Sequence, residues 1–192
     1  MNNINTQLQA IQRTLQQQAS NAVQEANNKF VPGSKKVYGV PNPFLNTLAK
    51  QFKTGGFDLV KALWASGAYE EKMIALKMLG CIAKKDAPQS LQLVQVFSTG
   101  IDNWAICDTM GMQSLKPVVK THQQEIFALA KKFNSSKNMW QRRLSLVLVE
   151  YYTRDKTLLP QINGLVSALE NDEEYYVKKA VVWIKKNISK GK

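Results

Sequence analysis

Met139-Trp140-Gln141-Arg142-Arg143-Leu144-Ser145-Leu146-Val147-Leu148-Val149 is the stretch on which the fold turns. Its second half is apolar and partly β-branched, as a buried strand would be. Yet Leu144 to Val149 continues a stripe that starts at Trp140, so the segment reads as helix. Trp140 also belongs to a series. Helical aromatics stand at Tyr69, Trp104, Trp140 and Tyr176, with spacings of 35, 36 and 36 residues. A fixed period of this length predicts stacked helical pairs. Three positions after each aromatic come Lys72, Cys107, Arg143 and Lys179. Residues three or four apart share a helix face, so the array is expected to present aromatic and cationic groups together. Asp108, beside the cysteine, is the carboxylate in this cationic series.

Outward from this stretch, breakers at Gly55-Gly56, Ser66-Gly67, Asp86 to Pro88, Thr99-Gly100, Pro117, Asn134 to Ser136, Thr153 to Asp155, Pro160 and Asn171-Asp172 divide the chain. They leave about ten helices and no convincing strand. Ile4, Leu8, Ile11, Leu15, Ala19, Val23 and Ala26 advance in steps of three and four, which predicts an amphipathic helix over residues 1–30. Residues 31–42 read as a turn-rich connection, with Asn42 as N-cap and Pro43 as first helical position. The expectation is an all-α chain. One domain over residues 1–192 would form an α-α superhelix (solenoid) with a basic concave face.

Charge narrows the partner. Lys and Arg number 26 against 14 Asp and Glu, a net charge of +12. Between Met1 and Phe57 the only acid is Glu25, against Arg13, Lys29, Lys35, Lys36, Lys50 and Lys53. Such an excess points to phosphate backbones. Cys81 and Cys107 fall in apolar helical segments, and His122 is the only histidine. No metal-ligand spacing results, so neither a metal nor a cofactor is expected. The N-terminus lacks a hydrophobic signal core, and no apolar run approaches the roughly 18 residues of a membrane span. A cytoplasmic, reduced, monomeric protein without membrane contact is expected, associated with the nucleoid when bound to DNA.

Three segments could carry chemistry. In Asp102-Asn103-Trp104-Ala105-Ile106-Cys107-Asp108, Asp102 is a plausible cap and Trp104 shares a face with Asp108. The pair suits either a site or a packed Trp beside a surface Asp. In the opening stretch, Trp140 and Arg143 share a face, suiting a guanidinium held against phosphate or carboxylate. In residues 175–186, Lys179, Trp183 and Lys186 follow in steps of four and three. That pattern fits an indole facing a ligand between two cations, although lysine stems also cover buried rings.

Together these segments resemble the DNA alkylation repair family, the AlkD-like DNA glycosylases built of HEAT-like repeats. The likeness extends upstream through Tyr38-Gly39-Val40-Pro41 to Leu45, through Leu48-Ala49-Lys50, and through Leu63-Trp64-Ala65-Ser66-Gly67 with Tyr69-Glu70-Glu71-Lys72 and Ala75-Leu76. It covers roughly residues 35–188, and the five blocks in order are more specific than any single one.

The resemblance implies excision of positively charged N3- or N7-alkylated purines from double-stranded DNA by hydrolysis of the N-glycosidic bond, without base flipping. Carried over by position, Trp104 and Trp183 are the aromatics beside the deoxyribose. Asp108 is the carboxylate facing sugar and water, and Arg143 anchors phosphate. Arg142, Lys72, Lys179 and Lys186 are expected as further DNA contacts. A cationic alkylpurine is already a good leaving group, and its departure builds positive charge on the sugar. A carboxylate and indole faces suit that charge better than a strong acid does. Lys72 and Lys186 stand where the family often has Arg, which keeps the charge and loses the bidentate fork. A non-catalytic HEAT-like nucleic-acid-binding module is the alternative, since related folds can lack the activity.

Overall fold

The structure, a computed structural model, describes residues 4–34 and 36–191, and every regular element among them is helical. The helices fall into two compact units, one ending at Asp86 and the other starting at Ala87.

The first unit contains α1 (Ile4–Gln17), α2 (Asn21–Phe30), α3 (Asn42–Phe52), α4 (Gly56–Ala65) and α5 (Tyr69–Ile82). Helix α5 packs on both α3 and α4, and α1 packs on α4. Leu45, Leu48, Leu59, Leu63, Ile74, Leu76 and Leu79 form the core. The enclosure of α5 extends to its acids, because Glu70 and Glu71 are both fully buried. Buried carboxylates persist only when hydrogen-bonded, and both of these are. Glu70 accepts from the backbone N–H groups of Tyr38 (2.9 Å), Gly39 (2.8 Å) and Val40 (3.2 Å). Glu71 accepts from the Tyr38 hydroxyl at 2.7 Å and from Gln12 Nε2 at 3.1 Å. The 38–40 loop is thereby tied to α5.

The expected N-terminal helix is two helices, divided at residues 18–20. Ser20 is extended (φ −132°, ψ 126°), and its N–H donates to the Gly39 carbonyl at 3.1 Å. Gly39 lies at φ +86°, and a Cβ there would stand 2.4 Å from the Ser20 oxygen. The crossing of the 38–40 loop breaks the helix, and the periodicity of the N-terminal stripe carries no sign of that loop. Asn42 is the first residue of α3 and Pro43 lies inside its first turn, one position deeper than the spacing suggested.

The second unit contains α6 (Ala87–Phe97), α7 (Trp104–Thr109), α8 (Gln123–Asn134), α9 (Met139–Val149), α10 (Leu159–Ala168) and α11 (Tyr175–Ser189). Helix α9 is its hub, packing on α7, α8, α10 and α11. Ile106, Phe133, Leu144, Leu146, Val149, Ile162 and Ile184 are buried around it. The apolar run Leu144 to Val149 is helical, as its continuity with Trp140 predicts. Asn138 caps α9 by accepting from the Trp140 N–H at 2.9 Å. Helix α7 is capped by Asn103, which accepts from the Ile106 N–H at 2.9 Å. Asp102 stands one residue outside and accepts from the Asn103 amide at 2.8 Å.

The aromatic period marks helix starts. Tyr69 and Trp104 are the first residues of α5 and α7, and Trp140 and Tyr176 the second residues of α9 and α11.

Candidate active site

Asp108 sits on the last turn of α7, four residues from Trp104, so the two share a face. The helix widens directly afterwards into a π-turn over Met110–Ser114. Within it Gly111 presses on α9, where an added Cβ would meet Val147 Cγ1 at 2.6 Å and the Val147 backbone carbon at 3.2 Å. Val147 lies one turn beyond Arg143 on the same face of α9. The side-chain-free contact at Gly111 thus brings α7 close enough for Asp108 to meet Arg143.

The meeting is a two-pronged fork. Arg143 Nε donates to Asp108 Oδ1 at 2.9 Å and Nη2 donates to Oδ2 at 2.9 Å. Nη1 donates to the Tyr176 carbonyl at 2.7 Å. One guanidinium therefore joins α7, α9 and α11, in the bidentate geometry that arginine supplies and lysine does not. Exposure differs sharply across the pair: the Arg143 side chain is 9 % exposed and that of Asp108 26 %. The carboxylate keeps an open side while its position is fixed from behind.

Electrostatics follow from this burial. Burial opposes the charge on Arg143, and the hydrogen bonds and charge of Asp108 outweigh it, raising the guanidinium above its usual range. Cys107 is fully enclosed. Burial first, and the Asp108 charge second, push its thiol well above the usual value. Its Sγ lies 3.7 Å from the Trp140 carbonyl. Such a thiol is packing, not nucleophile.

The remaining expected residues separate by burial. Trp140 is buried and lies against Tyr176, with ring centroids 4.9 Å apart. It forms part of the α9–α11 joint. Trp104 and Trp183 are half-buried, and Trp183 lies seven residues beyond Tyr176, on the same face of α11. Lys179 and Lys186 on α11 are exposed, and the Lys179 ammonium stands 5.4 Å from the centre of the Tyr175 ring.

Arg142, expected as a DNA contact, is committed internally. Its Nε and Nη2 reach Asp172 at 2.5 and 3.3 Å, and Nη1 reaches the carbonyls of Ser136 and Lys137 at 2.9 and 3.0 Å. Lys72, in the first unit, is 8 % exposed and lies 5.3 Å from the Trp64 ring centre. The expectation that every unit projects its cation outward therefore needs correcting. Lys72, Cys107 and Arg143 are buried, and only Lys179 of the four is exposed. The spacing that fixes the face of each aromatic also fixes the face of the residue three places later, and on α5, α7 and α9 that face turns inward.

The roles of two residues escaped the sequence reading. Tyr176 supplies a ring to Trp140 and a carbonyl to Arg143. Gly111 permits the close approach, and its signal was a glycine inside a helical pattern three residues after Asp108. Among the described residues no group of three or more His, Cys, Asp or Glu could hold a metal ion, and no helix is long and apolar enough to cross a membrane.

No curated protein matches the chain. A family model does. The fork falls within residues 11–192, which match the DNA alkylation repair enzymes, and the chain belongs to that family.

Proposed function

We propose that the protein is a DNA glycosylase that hydrolyses the N-glycosidic bond of cationic N3- and N7-alkylated purines in duplex DNA. Membership of a DNA alkylation repair enzyme family supports DNA as the substrate and repair as the role. The observation that carries the finer reading is the Asp108 carboxylate, fixed by the buried Arg143 fork and still a quarter open to solvent.

The chemistry follows from the charge of the lesion. The bond between the sugar C1′ and the purine nitrogen breaks with its electron pair passing to the purine, which leaves neutral. Positive charge then appears on C1′ and the ring oxygen. Asp108 stabilises that charge from a fixed position, which requires no reorganisation as the charge develops. Trp104, on the same face of α7, offers an electron-rich ring to the same cation, and Trp183 on α11 is assigned the second. Water adds to C1′ and gives up its proton to Asp108 or to bulk solvent. The leaving purine needs no acid, so the damaged base has no need of a pocket and can stay in the stack. Arg143 is a positioning residue in this scheme, acting through Asp108. Lys179 and Lys186, exposed on α11, are the candidate phosphate contacts beside it.

Release of 7-methylguanine and 3-methyladenine from methylated duplex DNA tests the reading. Asp108→Asn is expected to lower release by at least about a hundredfold, the scale of losing one preorganised electrostatic group. Binding to the duplex should survive. Equal release by wild type and variant removes Asp108 from the chemistry.

One observation favours a second reading. Both Asp108 oxygens already accept from Arg143, so the pair could serve only to lock three helices in a non-catalytic DNA-binding module. Neither wild type nor variant would then release base, while both would bind duplex with salt-sensitive affinity.

A further inference from the structure

At the far end of α9 from the fork, Glu150–Arg154 forms a short 3-10 turn flanked by two hollows. One, of about 450 Å³, is lined by Lys120, Gln123, Tyr151, Arg154 and Lys156 among others. Its neighbour, of about 220 Å³, adds Lys116 and shares Tyr151 and Arg154. Lys116, Lys120, Arg154 and Lys156 are all exposed. Among the described residues no carboxylate lies within ion-pairing distance of any of the four. Two acids line the hollows as well, Asp155 the larger and Glu150 the smaller, and each is turned to another partner. Asp155 accepts from the Thr157 N–H at 2.9 Å and from its hydroxyl at 2.6 Å, and Glu150 accepts from the Asn187 amide at 3.2 Å.

The floor is rigid. Tyr152 is buried, donates its hydroxyl to the Val119 carbonyl at 2.6 Å, and lies against Phe127 with centroids 5.1 Å apart. Tyr151 stands edge-on to it at 5.6 Å, half-exposed between the two hollows. Four exposed cations, none of them ion-paired, set around the Tyr151 phenol, match the donors that take up phosphodiester oxygens. They are also the arrangement that releases condensed counterions when DNA binds.

We propose that Lys116, Lys120, Arg154 and Lys156, with Tyr151 between them, form a phosphate-binding shelf for the DNA backbone, separate from the Asp108 fork. The inference rests on DNA being the substrate and does not depend on the glycosylase step. Arg143 and Glu150 are seven residues apart on one helical run, or about 10 Å at 1.5 Å per residue. The shelf accordingly takes backbone flanking the lesion, and it grips damaged and undamaged DNA alike.

The test is equilibrium binding to an undamaged duplex across roughly 50 to 200 mM salt, comparing wild type with Lys120→Gln/Arg154→Gln/Lys156→Gln. Each lost phosphate contact flattens the plot of log affinity against log salt by about 0.9. The triple variant should therefore flatten it by roughly two to three. Lys84→Gln/Lys85→Gln/Lys131→Gln, an equal charge loss at exposed lysines elsewhere, should change the slope by less than about one. The charge-conserving Lys120→Arg/Lys156→Arg should keep the wild-type slope. An unchanged slope in the shelf variant, or equal flattening in the control, overturns the proposal. Neither measurement requires base release, so the result stands apart from that of Asp108→Asn.

Discussion

Replacing Asp108 with Asn leaves the shape of the site and removes the charge that holds Arg143. The asparagine oxygen can still accept one of the two 2.9 Å hydrogen bonds, but its amide then points a donor at the other guanidinium N–H. A hydrogen bond to a charged group contributes about 1.5–3 kcal/mol. Arg143 is 8 % exposed and cannot turn its freed N–H to bulk water. Stripping one partner from a fully buried pair costs about 3–5 kcal/mol. The quarter exposure of Asp108 moves this case below that range, to about 2–3 kcal/mol. For a chain of this size each kcal/mol corresponds to about 2–4 °C in Tm. Asp108→Asn should thus lower Tm by about 4–12 °C and remain folded at room temperature, where activity is assayed. Arg143→Gln should cost a similar amount. The double variant has no buried unpaired charge, so it should be more stable than the sum of the singles by about 2 kcal/mol. Thermal and urea unfolding at neutral pH supply all four corners of the cycle. A single variant within about 1 °C of wild type, or costs that simply add, would refute the fork as a stabilising contact.

Other consequences are equally specific. Gly111→Ala places a methyl group against Val147 and should cost about 1–3 kcal/mol by urea unfolding, with part of the loss recovered in Gly111→Ala/Val147→Ala. Burial works to raise the Asp172 carboxyl, but the hydrogen bonds from Arg142 hold it below the usual carboxylate range. A depressed carboxylate contributes stability that is fully present above its unfolded pKa of about 3.9 and is lost as pH falls through its folded value. Asp172→Asn should therefore destabilise the protein at pH 7, and the gap to wild type should close as pH drops below about 4; a gap constant with pH rules out the linkage. A thiol-alkylating reagent applied to the folded protein at pH 8 should modify Cys81, which is exposed, and spare the enclosed Cys107 until denaturant is added.

Much of the fold was legible because it is repetitive. The aromatic period located the starts of α5, α7, α9 and α11, where each aromatic is the first or second helical residue. The inward turn of the residue three places later was not legible. A lysine or arginine at that spacing looks the same whether its face is solvent or core, and its partner decides. For Lys72 the partner lies eight residues back at Trp64; for Arg143 it lies 35 residues back at Asp108. That second separation is one repeat length, so the period contained the pairing without revealing it. The split of the N-terminal helix was hidden for a related reason, because the loop that forces it arrives from residues 38–40.

The pairing of Asp108 with Arg143 bears on how damage is found. A lone carboxylate would cast an attractive field toward any cationic base and a repulsive one toward every phosphate. Two opposite charges 2.9 Å apart act at a distance as a dipole, whose field dies away much faster than that of a single charge. Beyond the Debye length of about 8 Å, salt erases what remains. On the proposed chemistry, the resting site neither pulls alkylated bases from afar nor pushes the backbone away. Searching then falls to the exposed lysines and arginines, which treat all DNA alike. Discrimination begins only at contact, when the positive charge that develops on the sugar as the base departs competes with Arg143 for the same two oxygens.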